Sequence, residues 1–242
     1  MENVSSHERV LALLTVLAQL GRPASAGELM QATGLAKSTL YRQLAMLKRW
    51  GFVFETGNVY APGPVSLQLA LGFNAVAMLT HYAQDDLQWL SQRSRETVAI
   101  TVAVHRHAVC VDMIEAPQSL RCSFEKGRSV PLRAGATATC LLAHLPELAL
   151  QNIVQAECPD KVRQSAWLAQ LAEIRARGYA CSSSEVDEGV WGVCFPIFTR
   201  GRFLLGGLTL MAPLQRITNQ QDAFIQLTSE AAQRLNARLE NL

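Results

Sequence analysis

Three short amphipathic runs followed by a tight turn occupy the first 63 residues, and this order most constrains what the chain can fold into. The first run repeats apolar residues at three- and four-residue steps, which makes one helical face apolar. These residues are Val10, Leu13, Leu14, Leu17 and Leu20. Gly21 and Pro23 end this run. Ser25 stands three residues before Glu28, a capping-box spacing that predicts a second helix, which Gly34 ends.

The third run places Leu40, Leu44 and Leu47 on one face and ends at Gly51. Apolar residues then flank a Gly57-Asn58 turn, which predicts a short hairpin. Three helices and a hairpin in this order form a winged helix-turn-helix. We therefore predict that domain over residues 1–63.

The third run also carries a local positive charge that the net charge of +2 hides. Residues 36–50 contain four cations and no acid, and the face opposite the leucines is polar. That face carries Lys37, Ser38, Thr39, Tyr41, Arg42 and Gln43. A recognition helix in the major groove of DNA needs this arrangement. We predict DNA contacts by Ser38, Thr39, Tyr41 and Arg42 and a phosphate contact by Lys37; the alternative is an ordinary solvated face.

Pro62, Gly63 and Pro64 mark a boundary, and helical periodicity continues from there to Ser94. We predict linker and connecting helices over residues 64–94. Strand-like and helical runs then alternate, which predicts an α/β domain over residues 95–242.

The strand-like runs of that domain fall into two pairs separated by turn signals. Residues 97–104 and 108–114 flank Arg106-His107, and residues 190–198 and 203–211 flank a Thr-Arg-Gly-Arg turn. Residues 120–124 are a candidate for a further strand.

Composition excludes several classes of protein. With 49% hydrophobic and 17% charged residues, the chain is too apolar to be disordered. Its apolar runs stop short of the ~18 residues of a membrane helix, and no basic segment followed by an apolar run predicts a secretory signal. The six cysteines form no C-x-x-C pair. We expect a cytoplasmic protein that does not enter the membrane.

Residues 33–47, Thr-Gly-Leu-Ala-Lys-Ser-Thr-Leu-Tyr-Arg-Gln-Leu-Ala-Met-Leu, resemble the recognition motif of the IclR family of bacterial transcriptional regulators. Residues 60–63 are similar to the end of the family's wing, and residues 132–138 to the segment that opens its ligand pocket. Residues 177–185, 189–190 and 195–198 are similar to its C-terminal signature. The chain departs from the family at Ala36, where proline is usual, and at Thr137-Ala138, where Gly-Lys is common.

The resemblance implies an α+β chain with an N-terminal winged helix-turn-helix, a linker helix and a C-terminal GAF-like α/β effector-binding domain. It implies a regulator that binds double-stranded operator DNA as a homodimer or homotetramer, and a small carboxylic or aromatic acid as effector. It implies neither catalysis nor a cofactor. Repressor and activator are not distinguished.

The resemblance also implies a set of effector-binding residues. They are Gly135, Ala136, Ser182, Val190, Gly192, Thr209 and Met211. Free backbone N–H groups near residues 135–137, at a helix start, favour a carboxylate. Ser182 and Thr209 can hydrogen-bond it. Other members carry acidic or thiol groups at some of these positions; their absence here favours a ligand with an apolar body.

Three other readings remain open. A regulator can sense redox state through Cys181 and Cys194, which flank the pocket segment. An enzyme with a winged-helix module needs a phosphate-binding glycine loop or an acid/base pair, and we find neither in residues 73–242. An architectural DNA-binding protein is the third alternative, but it gives no role to the large part of the chain outside the DNA-binding module.

His105, His107 and Cys110 make a weak metal motif, and we expect no metal. Trp191 either lines the pocket or plugs it.

Overall fold

The computed structural model describes residues 5–71, 74–122, 125–199 and 202–240, with side chains outside 70–77. It divides into two compact units, residues 1–77 and residues 78–242. The division falls inside the stretch 64–94 that the sequence assigns to connecting helices.

The first unit begins with the three predicted helices, at bounds close to those expected. They are α1 (Ser6–Leu20), α2 (Ala26–Thr33) and α3 (Lys37–Arg49). Ser25 and Glu28 form the predicted capping box, in which each accepts a backbone N–H of the other. Gly21 and Gly34 end their helices in the left-handed conformation that glycine adopts without strain. The helical part of the prediction is confirmed.

The wing is a three-stranded antiparallel sheet in the order β1-β3-β2. Its strands are β1 (Ala24–Ser25), β2 (Val53–Thr56) and β3 (Val59–Pro62). Gly57 and Asn58 make the predicted turn, both with positive φ. Buried leucines of α1, α2 and α3 pack with Val53 and Tyr60 into one core. Two helices then follow, α4 (Pro64–Leu71) and α5 (Asn74–Ser94).

The second unit is built on a six-stranded antiparallel sheet in the order β6-β5-β4-β9-β8-β7. Its strands are β4 (Thr97–Val104), β5 (His107–Ile114), β6 (Ser129–Pro131), β7 (Ala180–Ser183), β8 (Val190–Phe198) and β9 (Leu204–Pro213). Both predicted strand pairs are present. The predicted strand at 120–124 is wrong for residues 120–122, which are irregular, and residues 123–124 lie outside the described residues. The strand that pairs with β5 on the side away from β4 is β6.

Helices cover both faces of this sheet. Besides α5, the helices of this unit are α6 (Ala136–His144), α7 (Glu147–Glu157), α8 (Lys161–Arg177) and α9 (Gln221–Glu240). A Cβ on Gly206 would lie 3.1 Å from Leu79 of α5, whereas one on the adjacent Gly207 would lie 3.4 Å from Leu141 of α6. Consecutive strand residues point to opposite faces. Therefore α5 and α6 lie on opposite faces of the sheet.

Ion pairs between buried carboxylates and partly exposed arginines join distant parts of the second unit. Asp86 of α5 is fully buried and pairs with Arg234 and Arg238 of α9. Glu96 is 2% exposed and forms a bidentate ion pair with Arg216. Its two carboxylate oxygens accept from the guanidinium at 2.5 and 2.7 Å. A buried charge is costly unless it is paired, so these contacts fix which segments meet. Within the part of the chain that the structure describes, no helix is long and apolar enough to cross a membrane.

The packing of α6 yields a stability prediction. Leu141 is fully buried among α6, α8 and the sheet. We expect Leu141→Ala to lower the free energy of unfolding by about 3 kcal/mol, because it leaves a cavity in a dense core. Urea denaturation followed by circular dichroism measures this. Leu148→Ala is the control, since Leu148 is 73% exposed; a loss there as large as that at Leu141 would contradict the assignment of the core.

Candidate functional sites

Helix α3 separates its apolar and polar faces as the sequence predicts. Leu40, Leu44 and Leu47 are at most 3% exposed. Lys37, Ser38, Tyr41 and Arg42 are exposed, and Thr39 is half-buried. The five residues predicted to contact DNA thus share one accessible surface near the start of α3, which we term the α3 surface. Contact with DNA by these residues stays a prediction.

Two further polar residues of α3 make contacts within the first unit. Gln43 is 3% exposed, and its side-chain amide donates to the Ser6 hydroxyl at 3.3 Å. Its assignment to the polar face is therefore wrong, because it joins α3 to the start of α1. Lys48 forms an ion pair with Glu55 of β2. Glu55 also binds the Tyr60 hydroxyl, and burial together with this carboxylate raises the pKa of Tyr60 to about 12. Lys48 therefore ties α3 to the wing.

The second unit encloses a cavity of about 80 Å³ at the start of α6. All seven residues predicted to bind an effector line this one cavity, although they come from four different segments of the chain. The other lining residues include Cys122, Val130, Thr137 and the consecutive residues 185–187. The fold thus brings together predicted residues that are up to 76 positions apart in the sequence, Gly135 and Met211. Their role in binding stays a prediction.

Sheet register explains why these residues meet. Gly192 of β8 lies opposite Met211 of β9, and Cys194 lies opposite Thr209. Residues two apart on a strand share a face. Gly192 lies close to Ala136, since a Cβ on this glycine would be 3.6 Å from that of Ala136. Thr209 forms a hydroxyl–hydroxyl hydrogen bond of 2.9 Å with Thr137. The cavity is therefore walled by α6 on one side and by β8 and β9 on the other.

The helix start is not free, and this corrects the expectation of open backbone donors at 135 and 136. The N–H of Gly135 donates to the Glu185 carboxylate at 2.9 Å, and the N–H of Ala136 donates to the Ser182 hydroxyl at 2.8 Å. Gly135 has φ +88, a conformation that favours glycine. The seven predicted positions carry no acid, but two further lining residues, Glu185 and Asp187, bring carboxylates to the cavity. Three serines, Ser182 to Ser184, precede these acids in the sequence. Such a run of small polar residues gives no signal that the segment packs against the start of α6.

Trp191 neither lines nor plugs the cavity. It is 1% exposed and lies on β8 between Val190 and Gly192, so its side chain faces the opposite side of the sheet from theirs. There it lies near Phe224 of α9, with 6.4 Å between ring centroids. It is a core residue of the α9 layer.

The cysteines of the redox reading do not face each other. Cys194 lies opposite Ala180 and Cys181 lies opposite Val193, so the two thiols point to opposite faces of the sheet. A disulfide needs Cβ atoms within about 4.5 Å that point toward each other. Burial also raises the pKa of the Cys181 thiol to about 11 and that of Cys140 well above its usual range.

The metal motif of the sequence is not a cluster in the structure. His105 lies in the turn between β4 and β5. No group of three metal-binding side chains occurs among the described residues.

A winged helix-turn-helix joined to an α/β domain with a cavity defines a class, the transcriptional regulators that combine DNA binding with ligand sensing. The chain belongs to the IclR family. Residues 75–237 match the family described as the bacterial transcriptional regulator IclR C-terminal, and residues 6–56 match the IclR helix-turn-helix domain.

Several known proteins are similar over nearly the whole chain. The HTH-type transcriptional regulator KdgR of Escherichia coli K12 is 26% identical, over 98% of this chain and 94% of that protein. An IclR transcriptional regulator of Silicibacter sp. TM1040 has the same fold, with a TM-score of 0.83 and 24% identity over 97% of this chain and 96% of that one. An IclR homologue of Microbacterium hydrocarbonoxydans, solved with 4-hydroxybenzoate, has a TM-score of 0.74 and 18% identity over 97% and 99%.

The raised thiol pKa values predict weak reactivity. Because the thiolate is the reactive form, a pKa of about 11 for Cys181 instead of 9.0 leaves roughly a hundredfold less of it near neutral pH. We expect iodoacetamide to label Cys181 slowly, at a rate that rises as the pH approaches this pKa. Peptide mass spectrometry measures the rate. Fast labelling of Cys181 at neutral pH, together with loss of DNA binding after peroxide treatment, would restore the redox reading.

Proposed function

We propose that this protein is a cytoplasmic regulator that binds operator DNA through the α3 surface and responds to a small carboxylic or aromatic acid in the α6 cavity. It acts by binding and not by catalysis. The observation that carries the proposal is that the seven residues named from the family resemblance line one cavity, in a chain whose α3 surface also carries exposed cations. The family membership supports the same conclusion.

The α3 surface suits the major groove. Lys37 and Arg42 are exposed cations at the N-terminal part of α3, and Ser38, Thr39 and Tyr41 supply polar groups between them. Short polar and cationic side chains at this end of a recognition helix reach base edges and phosphates. Two such helices in a dimer would bind successive major grooves of an operator with approximate two-fold symmetry.

Exposed apolar side chains of the first unit support self-association. Trp50, Phe54, Leu67 and Leu69 are 59–64% exposed. Hydrogen bonds bring the start of α4 to the end of α3 and the start of β2, so these side chains come from neighbouring segments. Contiguous exposed apolar patches often mark protein–protein contacts. We propose a homodimer, with a homotetramer as the alternative, and light scattering of the purified protein separates the two. An effector that binds one arrangement of the dimer better shifts DNA affinity by no more than that difference.

The cavity suits a small ligand with an apolar body and one or two polar groups. Val130, Val190 and Met211 supply apolar walls, and Thr137 and Thr209 supply hydroxyls. The Microbacterium homologue holds 4-hydroxybenzoate, which makes this compound a reasonable first probe. A thermal-shift screen of small acids is the direct search, since a ligand at 100 times its Kd adds about 2.7 kcal/mol of stability.

Loss of the Arg42 guanidinium tests the DNA-binding surface. We expect Arg42→Ala to weaken operator binding by about 1–3 kcal/mol, because this exposed cation reaches base edges or phosphate. Fluorescence anisotropy with labelled operator, at one fixed salt concentration, measures the Kd. Arg163→Ala is the control, since Arg163 is an exposed arginine of the second unit. Equal affinity of the Arg42 variant and the wild type would disprove the assignment of the α3 surface.

Loss of the Thr209 hydroxyl tests the cavity. We expect Thr209→Val to weaken binding of a cavity ligand by about 1 kcal/mol, roughly fivefold in Kd, because one hydroxyl of the Thr137–Thr209 pair is removed. Isothermal titration with the strongest hit of the screen measures this. Thr228→Val is the matched control: Thr228 is equally buried but lies on α9, where its hydroxyl donates to the Phe224 carbonyl. If both variants bind as the wild type does, the ligand lies elsewhere.

A further inference from the structure

A carboxylate of the protein lies where the sequence predicts the carboxylate of a ligand. Glu185 Oε2 accepts the N–H of Gly135 at 2.9 Å, and Ser182 Oγ accepts the N–H of Ala136 at 2.8 Å. These two amides open α6, at the end of the helix where the backbone dipoles leave a partial positive charge. The anion-binding position of the cavity is therefore occupied by a side chain of the same chain.

Glu185 belongs to a loop, residues 184–189, whose ends are joined by hydrogen bonds; we term this loop the strap. The Ser184 N–H donates to the carbonyl of Val190 at 2.8 Å, and the Gly189 N–H donates to the Ser184 hydroxyl at 3.0 Å. Val186 of the strap lies against Gly135, since a Cβ there would be 2.6 Å from Val186 Cγ2. Glu185 and Val186 thus hold the strap against the start of α6.

The charges around the cavity oppose a second anion. Glu185 and Asp187 both line it, and among the described lining residues there is no lysine, arginine or histidine. A ligand carboxylate that entered with Glu185 in place would meet like charge and would find no cation. A site rejects a ligand whose charge it leaves unpaired. A neutral ligand of the same shape does not meet this barrier.

We propose that Glu185 determines the specificity of the cavity by competing with the acid group of an effector for the Gly135 amide. An acid binds when Glu185 leaves that amide, and the strap moves with it. The proposal rests on the function proposed above and adds the residue that selects between acids and their neutral analogues. It also assigns the movable part, the strap, whose position reports whether an acid is bound.

Matched probes and matched variants test the competition. The probes are 4-hydroxybenzoate and 4-hydroxybenzamide, which differ in charge and little in shape. The proteins are the full-length wild type, Glu185→Gln, Glu185→Ala and, as control, Glu188→Gln, which removes the same charge from a strap residue outside the cavity lining. Isothermal titration at one ionic strength gives each Kd, and thermal unfolding checks that every variant is folded.

The expected result is a gain for the acid alone. Glu185→Ala binds 4-hydroxybenzoate about tenfold more tightly or better than the wild type does, because a charge-assisted competitor is gone. Glu185→Gln shows a smaller gain, since its amide oxygen still accepts the Gly135 N–H. The amide probe changes by less than about twofold, and Glu188→Gln behaves as the wild type. Unchanged or weaker acid binding by both Glu185 variants would overturn the proposal.

Hydrogen exchange on the wild-type protein gives a readout that needs no variant. Saturation with 4-hydroxybenzoate should speed exchange in peptides that cover residues 184–189, whereas saturation with the amide should not. An acid that binds without this change in the strap overturns the competition even if the Glu185 variants fail to fold.

The two proposals fail in different ways. If the acid binds and Thr209→Val weakens it, while the strap and the Glu185 variants show no effect, the effector site stands and the role of Glu185 is disproved. A second outcome is that 4-hydroxybenzoate binds to none of the proteins, not even to Glu185→Ala, in which the Gly135 amide is free. This outcome disproves competition between Glu185 and the acid. Failure of every acid in the thermal-shift screen then removes the proposed effector class too.

Discussion

The two-residue alternation of β8 and β9 is the constraint on which the second unit depends. Because helices cover both faces of the sheet, each strand supplies two different surfaces at once. Gly192, Thr209 and Met211 face α6 and wall the cavity, whereas Trp191 faces α9 and fills the core. A shift of one residue in the register would exchange these roles and bring the indole into the cavity. The long pairing of β8 with β9, nine residue pairs, fixes that register.

Local patterns predicted much of this protein. The capping box at Ser25 and Glu28, the Gly57-Asn58 turn and the leucine stripe of α3 each involve residues close in sequence. Such signals depend on backbone geometry that a few neighbouring side chains determine. The winged helix-turn-helix followed from them and is confirmed, as is the α+β class that the family resemblance implied. The cavity residues came from a family resemblance, not from periodicity.

The predictions that failed concern contacts between residues far apart in sequence. Gln43 reads as one more polar residue of α3, yet its partner is Ser6, 37 positions earlier. Glu185 reads as part of a polar turn, yet it caps a helix that begins 49 positions before it, at Ala136. The sequence leaves open which face of the sheet Trp191 occupies, because a tryptophan suits either. Only the register of β8 with β9 decides between the two faces. No local pattern carries this information, since it arises when the sheet and its helices assemble.

The hydroxyl pair of Thr137 and Thr209 has a consequence for the range of compounds the cavity accepts. Their hydrogen bond of 2.9 Å works in either direction, since each oxygen can donate or accept. One of the two hydrogens is used between them, and the other remains for a ligand, while both oxygens keep lone pairs. The same two side chains can therefore donate a hydrogen bond to a ligand carbonyl or accept one from a ligand alcohol. Only the hydroxyl hydrogens need to rotate. Chemically distinct metabolites of similar shape could thus share this cavity floor without any movement of its heavy atoms.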